Sequence, residues 1–148
     1  MSDIRFSLRS AVYVMLIRDR KILLLRRFNT GWKDGFYSLP AGHLDGKETV
    51  TDATIREAKE EAGISIQKED VHVVHTMHRD SGDREYIDFF LAAASWKGDP
   101  KIAEPDKCDD LSWFPIDQLP SNTIESVRAA INYYHKGVTF SEFGWQAQ

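Results

Sequence analysis

At 148 residues, the chain has room for one domain with a core of its own and is short for two. Hydrophobic residues make up 42% and charged residues 28%, which excludes a disordered or low-complexity chain. A formal net charge of −4 without a polybasic stretch gives a long-range field that does not favour a nucleic-acid polymer or an acidic membrane, so an anionic substrate needs placed arginines or bound metal ions.

Residues 1–10 carry Asp3, Arg5 and Arg9 and lack a secretory apolar core. The most apolar run, Ala11 to Ile17, is too short to cross a bilayer, and a cytoplasmic protein is expected. Ser7 to Arg18 and Lys21 to Arg27 are rich in strand formers and predict two strands joined tightly at Arg18-Asp19-Arg20. Phe28 to Gly35 is polar and rich in turn residues, which puts Trp32 on a loop; Phe36 to Leu39 reads as a short strand entering a turn at Pro40-Ala41-Gly42. From Thr49 to Ala62 the composition shifts to Ala, Glu, Lys, Arg and Thr, predicting a helix capped by Thr49 and ended by Gly63. Val71 to Met77 and Tyr86 to Ala94 read as a hairpin about the turn-rich Asp80-Ser81-Gly82-Asp83, and Leu111 to Ile116 as a further strand. Ile124, Val127, Ala130, Ile131 and Tyr134 recur at helical spacing, the mark of a helix packed on a sheet. No repeat or linker divides the chain, so residues 1–148 form one domain. Its one cysteine, Cys108, excludes an internal disulfide and a thiolate zinc site. Strand alternation puts His75 on the opposite face from His72 and His78, which argues against a histidine metal site.

The informative segment runs from Gly42 to Ile64. At 100° per residue, Glu61 lies about 40° to one side of Glu57 and Glu60 about 60° to the other, so the three carboxylates share one helix face. Ile55, Ala58 and Ala62 cluster on another face and can pack on a sheet. Carboxylates at this spacing repel one another, and a divalent cation removes the repulsion. Hard oxygen ligands suit Mg2+ or Mn2+, which also bridge phosphate oxygens and acidify a coordinated water. An isolated E-x-x-E-E is most often a solvated helix face. The surrounding residues alter that balance, because Gly42, Glu48, Arg56, Glu57, Glu60, Glu61 and Gly63 fill every fixed position of G-x5-E-x7-R-E-U-x-E-E-x-G-U. A chance match in one register has a probability of roughly 10⁻⁸ at residue frequencies near 7%.

That pattern is the Nudix box, with Ala58 and Ile64 at its two apolar positions, and the chain resembles the Nudix hydrolase family, MutT-like members in particular. The resemblance extends to Leu39-Pro40-Ala41-Gly42 before the box and Trp113 to Pro120 after it. It implies an α/β Nudix fold, an α/β/α sandwich in which a mixed β-sheet is flanked by the box helix and the C-terminal helix; periodicity alone leaves α/β and α+β open. By resemblance, Glu57, Glu60 and Glu61 would ligate Mg2+ or Mn2+ together with a backbone carbonyl at Ala41 or Gly42. Glu48 and Arg56 would brace the loop against the helix. The water-activating carboxylate comes from the box in some members and from a downstream loop in others; Glu104, Asp106, Asp109 and Asp110 stand there, Glu104 and Asp110 foremost. Arg26 resembles a phosphate-contacting position, against the alternative of a strand-end surface charge that is preferred for Arg27. Trp32, on its loop, is the aromatic residue placed to stack on a substrate.

The reaction so implied is hydrolysis of a diphosphate linkage in a nucleotide-like small molecule. A nucleoside triphosphate pyrophosphohydrolase is favoured, giving monophosphate and pyrophosphate. Arg79 and Asp80 stand where many ADP-ribose-cleaving relatives carry a proline, and no coenzyme-A signature precedes the box. An ADP-ribose or dinucleotide pyrophosphatase is the alternative. A Nudix-fold regulatory binding module is disfavoured by the intact box, and an isoprenoid diphosphate isomerase by the lack of a matching motif. A homodimer is compatible with these features.

Overall fold

The structure is a computed structural model and describes residues 4–146. Strand β1 (Arg9–Arg18) turns through Asp19 and Arg20 into β2 (Lys21–Arg27), and both turn residues have left-handed backbone, φ 53° and 61°. Two consecutive positive φ values are what a tight hairpin turn of the twisted kind requires. β1 and β2 pair only at their turn ends, Ile17 with Ile22 and Arg18 with Lys21, and then part company. Beyond that point β1 joins β4 (Ala41–His43) and runs parallel to β6 (Glu85–Ala93), while β2 joins β3 (Tyr37–Ser38) and β7 (Cys108–Pro115). β5 (Val71–Asp80) completes the predicted hairpin with β6, and β8 (Phe140–Phe143) adds to β5 in parallel.

Among the described residues, two α-helices cover opposite faces of this mixed sheet, as the alternation along β1 makes plain. Val12, Val14 and Leu16 point into a core shared with Ala53, Ala58 and Ala62 of α1 (Val50–Ala62). Met15 points into a second core with Val127, Ala130 and Ile131 of α2 (Glu125–His135). An α/β/α sandwich results, as expected. The small alanines of α1 let its backbone ride close to the sheet, which sets the height of the glutamates on its flank.

Helix α1 keeps the predicted ends. The Thr49 side chain accepts a hydrogen bond from the Asp52 N–H at 3.0 Å, and Gly63 closes the helix at φ 69°. Two short strands lie outside the sequence prediction. Ala41–His43, predicted as turn, is pinned to β1 opposite Ala11 to Tyr13. Phe140–Phe143 pairs with Thr76 to Arg79. The histidine argument is corrected in its geometry, because a bulge between Val73 and His75 breaks the alternation along β5. His75 is buried between the Val138 carbonyl and the Ser141 hydroxyl, both at 2.8 Å, and His72 is exposed. No histidine triad forms.

Candidate active site

Strand β4 and helix α1 meet where the Gly42-to-Ile64 segment doubles back on itself. Gly42 lies so close to α1 that a Cβ built on it would stand 2.0 Å from Oε1 of Glu57. Only glycine admits the carboxylate there, which gives the first glycine of the motif a physical reason. Glu57 is buried, and its Oε1 accepts a hydrogen bond from Nη1 of Arg56 at 2.7 Å. Arg56 also grips Glu48 with two prongs, Nε to Oε2 at 3.1 Å and Nη2 to Oε1 at 2.6 Å, and reaches Glu60 at 3.4 Å. One guanidinium thus ties the loop before α1 to two glutamates on the helix.

Glu61 is placed differently. Its Oε2 accepts the Ala41 N–H at 2.9 Å, which couples the C-terminal half of α1 to β4. Burial pushes its carboxyl up to about 8, and the charges of Glu57 and Glu104 add to the rise, while the Ala41 N–H and Arg27 oppose it. Burial likewise raises Glu57, against the pull of Arg56. The segment after β6 is hung from the end of α1, with the Lys101 N–H on the Ala62 carbonyl at 3.0 Å and the Ala103 N–H on the Glu61 carbonyl at 3.4 Å. That anchorage sets Glu104 beside Glu61. Both line an open cavity of about 380 Å3 together with Arg27, Asn29, Thr30 and Lys107.

The cavity separates the candidates. Of the downstream acids, Glu104 lines it. Asp110 is engaged elsewhere, accepting hydrogen bonds from the Tyr37 hydroxyl at 2.5 Å and the Ser112 hydroxyl at 3.0 Å; the Tyr37 bond leads in holding its carboxyl below the usual range. Arg26 points to the sheet face that carries Tyr37 of β3 and pairs with Asp109, Nε to Oδ1 at 2.7 Å. Arg27, on the other face, lines the cavity. Its Nε donates to the Trp32 carbonyl at 2.7 Å, its Nη2 donates to the Thr30 hydroxyl at 2.9 Å, and the half-exposed Trp32 ring lies 5.0 Å from its guanidinium. The two arginines therefore stand in the reverse of the expected places. Leu23, four residues before Arg27, packs in the core that α1 covers, so strand alternation sets Arg27 on the same face. Lys107 and Thr30 had no distinguishing sequence feature.

Do these residues suit a divalent cation? Among the described residues, no group of three His, Cys, Asp or Glu side chains is already closed around one point. One oxygen each of Glu57 and Glu60 is turned toward Arg56, and one of Glu61 toward the Ala41 amide. The donor chemistry nonetheless fits: hard carboxylates on one helix face, two of them raised by burial, beside a glycine whose missing side chain makes room for one of them.

The NUDIX domain family model matches residues 7–134. A Nudix hydrolase of Bacillus subtilis, YvcI, is 31% identical over 108 residues, 71% of this chain and 65% of that protein. An ADP-ribose pyrophosphatase of Methanocaldococcus jannaschii is 44% identical over 54 residues, 36% of this chain and 31% of that protein. The chain therefore spans less than two thirds of the length of either relative. In structure, a MutT NUDIX hydrolase from Burkholderia pseudomallei superposes with a TM-score of 0.77 at 29% identity, covering 86% of this chain and 98% of the other. Among the described residues, no helix is long and apolar enough to cross a membrane.

Proposed function

The chain belongs to the Nudix family, and from that premise we propose that it is a divalent-metal-dependent pyrophosphohydrolase, cleaving a nucleoside triphosphate and water to the monophosphate and pyrophosphate. The observation that carries this reading is the convergence of Glu61, Glu104 and Arg27 on one cavity beside the Gly42–Glu57 contact. Glu57, Glu60 and Glu61 would hold the metal, Mg2+ or Mn2+, with a backbone carbonyl of Ala41 or Gly42. Bound there, such an ion neutralises phosphate charge and lowers the pKa of a coordinated water.

The remaining work falls to the chain itself. Arg56 holds Glu57 and Glu60 in place and is itself fixed by Glu48, so both act on the reaction through the ligands. Glu104 is the carboxylate positioned to take the proton of the attacking water, since it lines the cavity without being a member of the helix cluster. Arg27 offers its remaining N–H groups to the phosphate chain, and Lys107 supplies a second cation at the cavity wall. Trp32 presents a half-exposed ring beside the Arg27 guanidinium, suited to a planar base.

The M. jannaschii relative makes ADP-ribose the reading to set against a triphosphate. Here, Arg79 stands at the place where a proline marks many such enzymes, and it is ion-paired at 2.6 Å with the buried Asp88. The experiment is release of phosphate products, with and without Mg2+, over a panel of nucleoside triphosphates, ADP-ribose and a dinucleoside polyphosphate. Fastest metal-dependent turnover of a triphosphate is expected. Preference for ADP-ribose by tenfold or more in kcat/KM would replace the substrate assignment, and no turnover of any member would overturn the enzyme reading.

A further inference from the structure

The loop between β2 and β3 has an internal order that its exposure does not require. Backbone φ is left-handed at every second residue: Asn29 at 55°, Gly31 at 86°, Lys33 at 51° and Gly35 at 84°. Such alternation turns successive N–H groups inward and makes a concavity that suits an anion. Here the chain fills it with its own carboxylate. Asp34 accepts from the Thr30 N–H at 3.0 Å, the Gly31 N–H at 2.9 Å and the Thr30 hydroxyl at 2.5 Å. These bonds hold the Asp34 carboxyl below its usual range, the Thr30 hydroxyl contributing most.

What the carboxylate organises is Arg27. The Thr30 hydroxyl bound to Asp34 is the same group that receives Nη2 of Arg27, and the carbonyl that receives Nε belongs to Trp32, inside the loop that Asp34 closes. The ends of the loop are fixed separately, by the Gly35 N–H on the Arg27 carbonyl at 2.8 Å and the Asn122 side chain on the Gly35 carbonyl at 2.8 Å. Asp34 is thus not needed to hold β2 and β3 together; its bonds act on the loop interior, where the arginine is gripped.

We propose that Asp34 is a positioning residue for the hydrolysis: through Thr30 and the Trp32 carbonyl it fixes the Arg27 guanidinium in the cavity beside Glu61 and Glu104. This rests on the reading of the cavity as a phosphate site. An arginine anchored by two of its donors to neutral acceptors keeps its full charge and its outward N–H groups, and loses little freedom when phosphate arrives. The Trp32 ring is set over the same guanidinium as part of that arrangement.

The test compares Asp34→Asn, Thr30→Val and Thr30→Ser in the full chain, alone and combined with Arg27→Lys. Asp34→Asn and Thr30→Val should each raise KM for the best nucleoside triphosphate about tenfold, leaving the melting temperature unchanged. Thr30→Ser, which keeps the hydroxyl, should restore most of what Thr30→Val loses. With Lys at position 27, Asp34→Asn should add less than twofold, because the group it positions has gone. A second readout needs no substrate: the Arg27 Nε–H resonance, assigned by its absence in Arg27→Lys, should exchange slowly with solvent in the wild type and rapidly in Asp34→Asn. An unchanged KM in Asp34→Asn, an equal effect in the Arg27→Lys background, or a resonance that stays protected would each overturn the proposal. If the wild type hydrolyses no nucleotide, the functional reading fails, and the exchange measurement still decides whether Asp34 positions Arg27.

Discussion

Gly42 shows how one missing atom can hold a site open. A methyl group at that position would overlap the Glu57 carboxylate at 2.0 Å, and the backbone on either side is locked in the β1–β4 pairing. The side chain must therefore give way, carrying its oxygens off their place. Gly42→Ala is expected to lower kcat by about 100-fold, the scale of an ångström-sized misplacement, without unfolding the chain; near-normal kcat with an intact circular dichroism spectrum would refute the contact's importance. Glu57→Gln and Glu61→Gln, which remove charge at constant shape, should leave the fold intact and turnover close to background. The arginines give a paired test. Arg27→Lys keeps the charge and loses the planar fork, so kcat/KM should fall about tenfold, ~1.4 kcal/mol of transition-state binding, with Arg26→Lys near wild type. Equal small effects at both would mean that neither grips the substrate.

Among the elements, α1 was the most legible because its signals are local. Its cap, its stop and the spacing of its glutamates are all contained in the residues between Thr49 and Gly63, and Thr49→Ala should cost about 1 kcal/mol of stability, measurable by denaturant unfolding. The strands Ala41–His43 and Phe140–Phe143 were illegible because they are too short to show an alternation, and pairing with β1 and β5 alone makes them strands. Alternation along β2 does show that Arg26 and Arg27 point apart. Which of them meets the box helix depends on which face α1 covers, a tertiary fact that no window along β2 contains. The register shift opposite these residues, which pairs Arg26 with Asp110 and Arg27 with Cys108, leaves Asp109 free to hold Arg26. Glu104 likewise joined the cavity through two backbone hydrogen bonds to the end of α1, an attachment invisible in the residues around it.

At the scale of the molecule, the candidate site gathers carboxylates that the packing of the fold buries. Glu57 and Glu61 are drawn in by the packing of α1 on the sheet, and burial pushes both up, so ionising them in the metal-free fold is costly. Arg56 offsets part of that cost at Glu57, whereas Glu61 has the Ala41 amide and the more distant charge of Arg27. A ligand that binds this arrangement only when folded must stabilise the whole chain by mass action. Mg2+ or Mn2+ at 100 times its dissociation constant should add ~2.7 kcal/mol, which for a domain of this size raises the melting temperature by roughly 5–10 °C. Glu61→Gln separates this from a nonspecific salt effect. It keeps an oxygen for the Ala41 N–H while removing the buried ionisable carboxyl, so the metal-free variant should melt no lower than the metal-free wild type, and its increment with Mg2+ should shrink toward zero. A variant that melts well below wild type without metal would show that the Glu61 carboxylate stabilises the fold in its own right. An increment as large as that of the wild type would place the ion elsewhere.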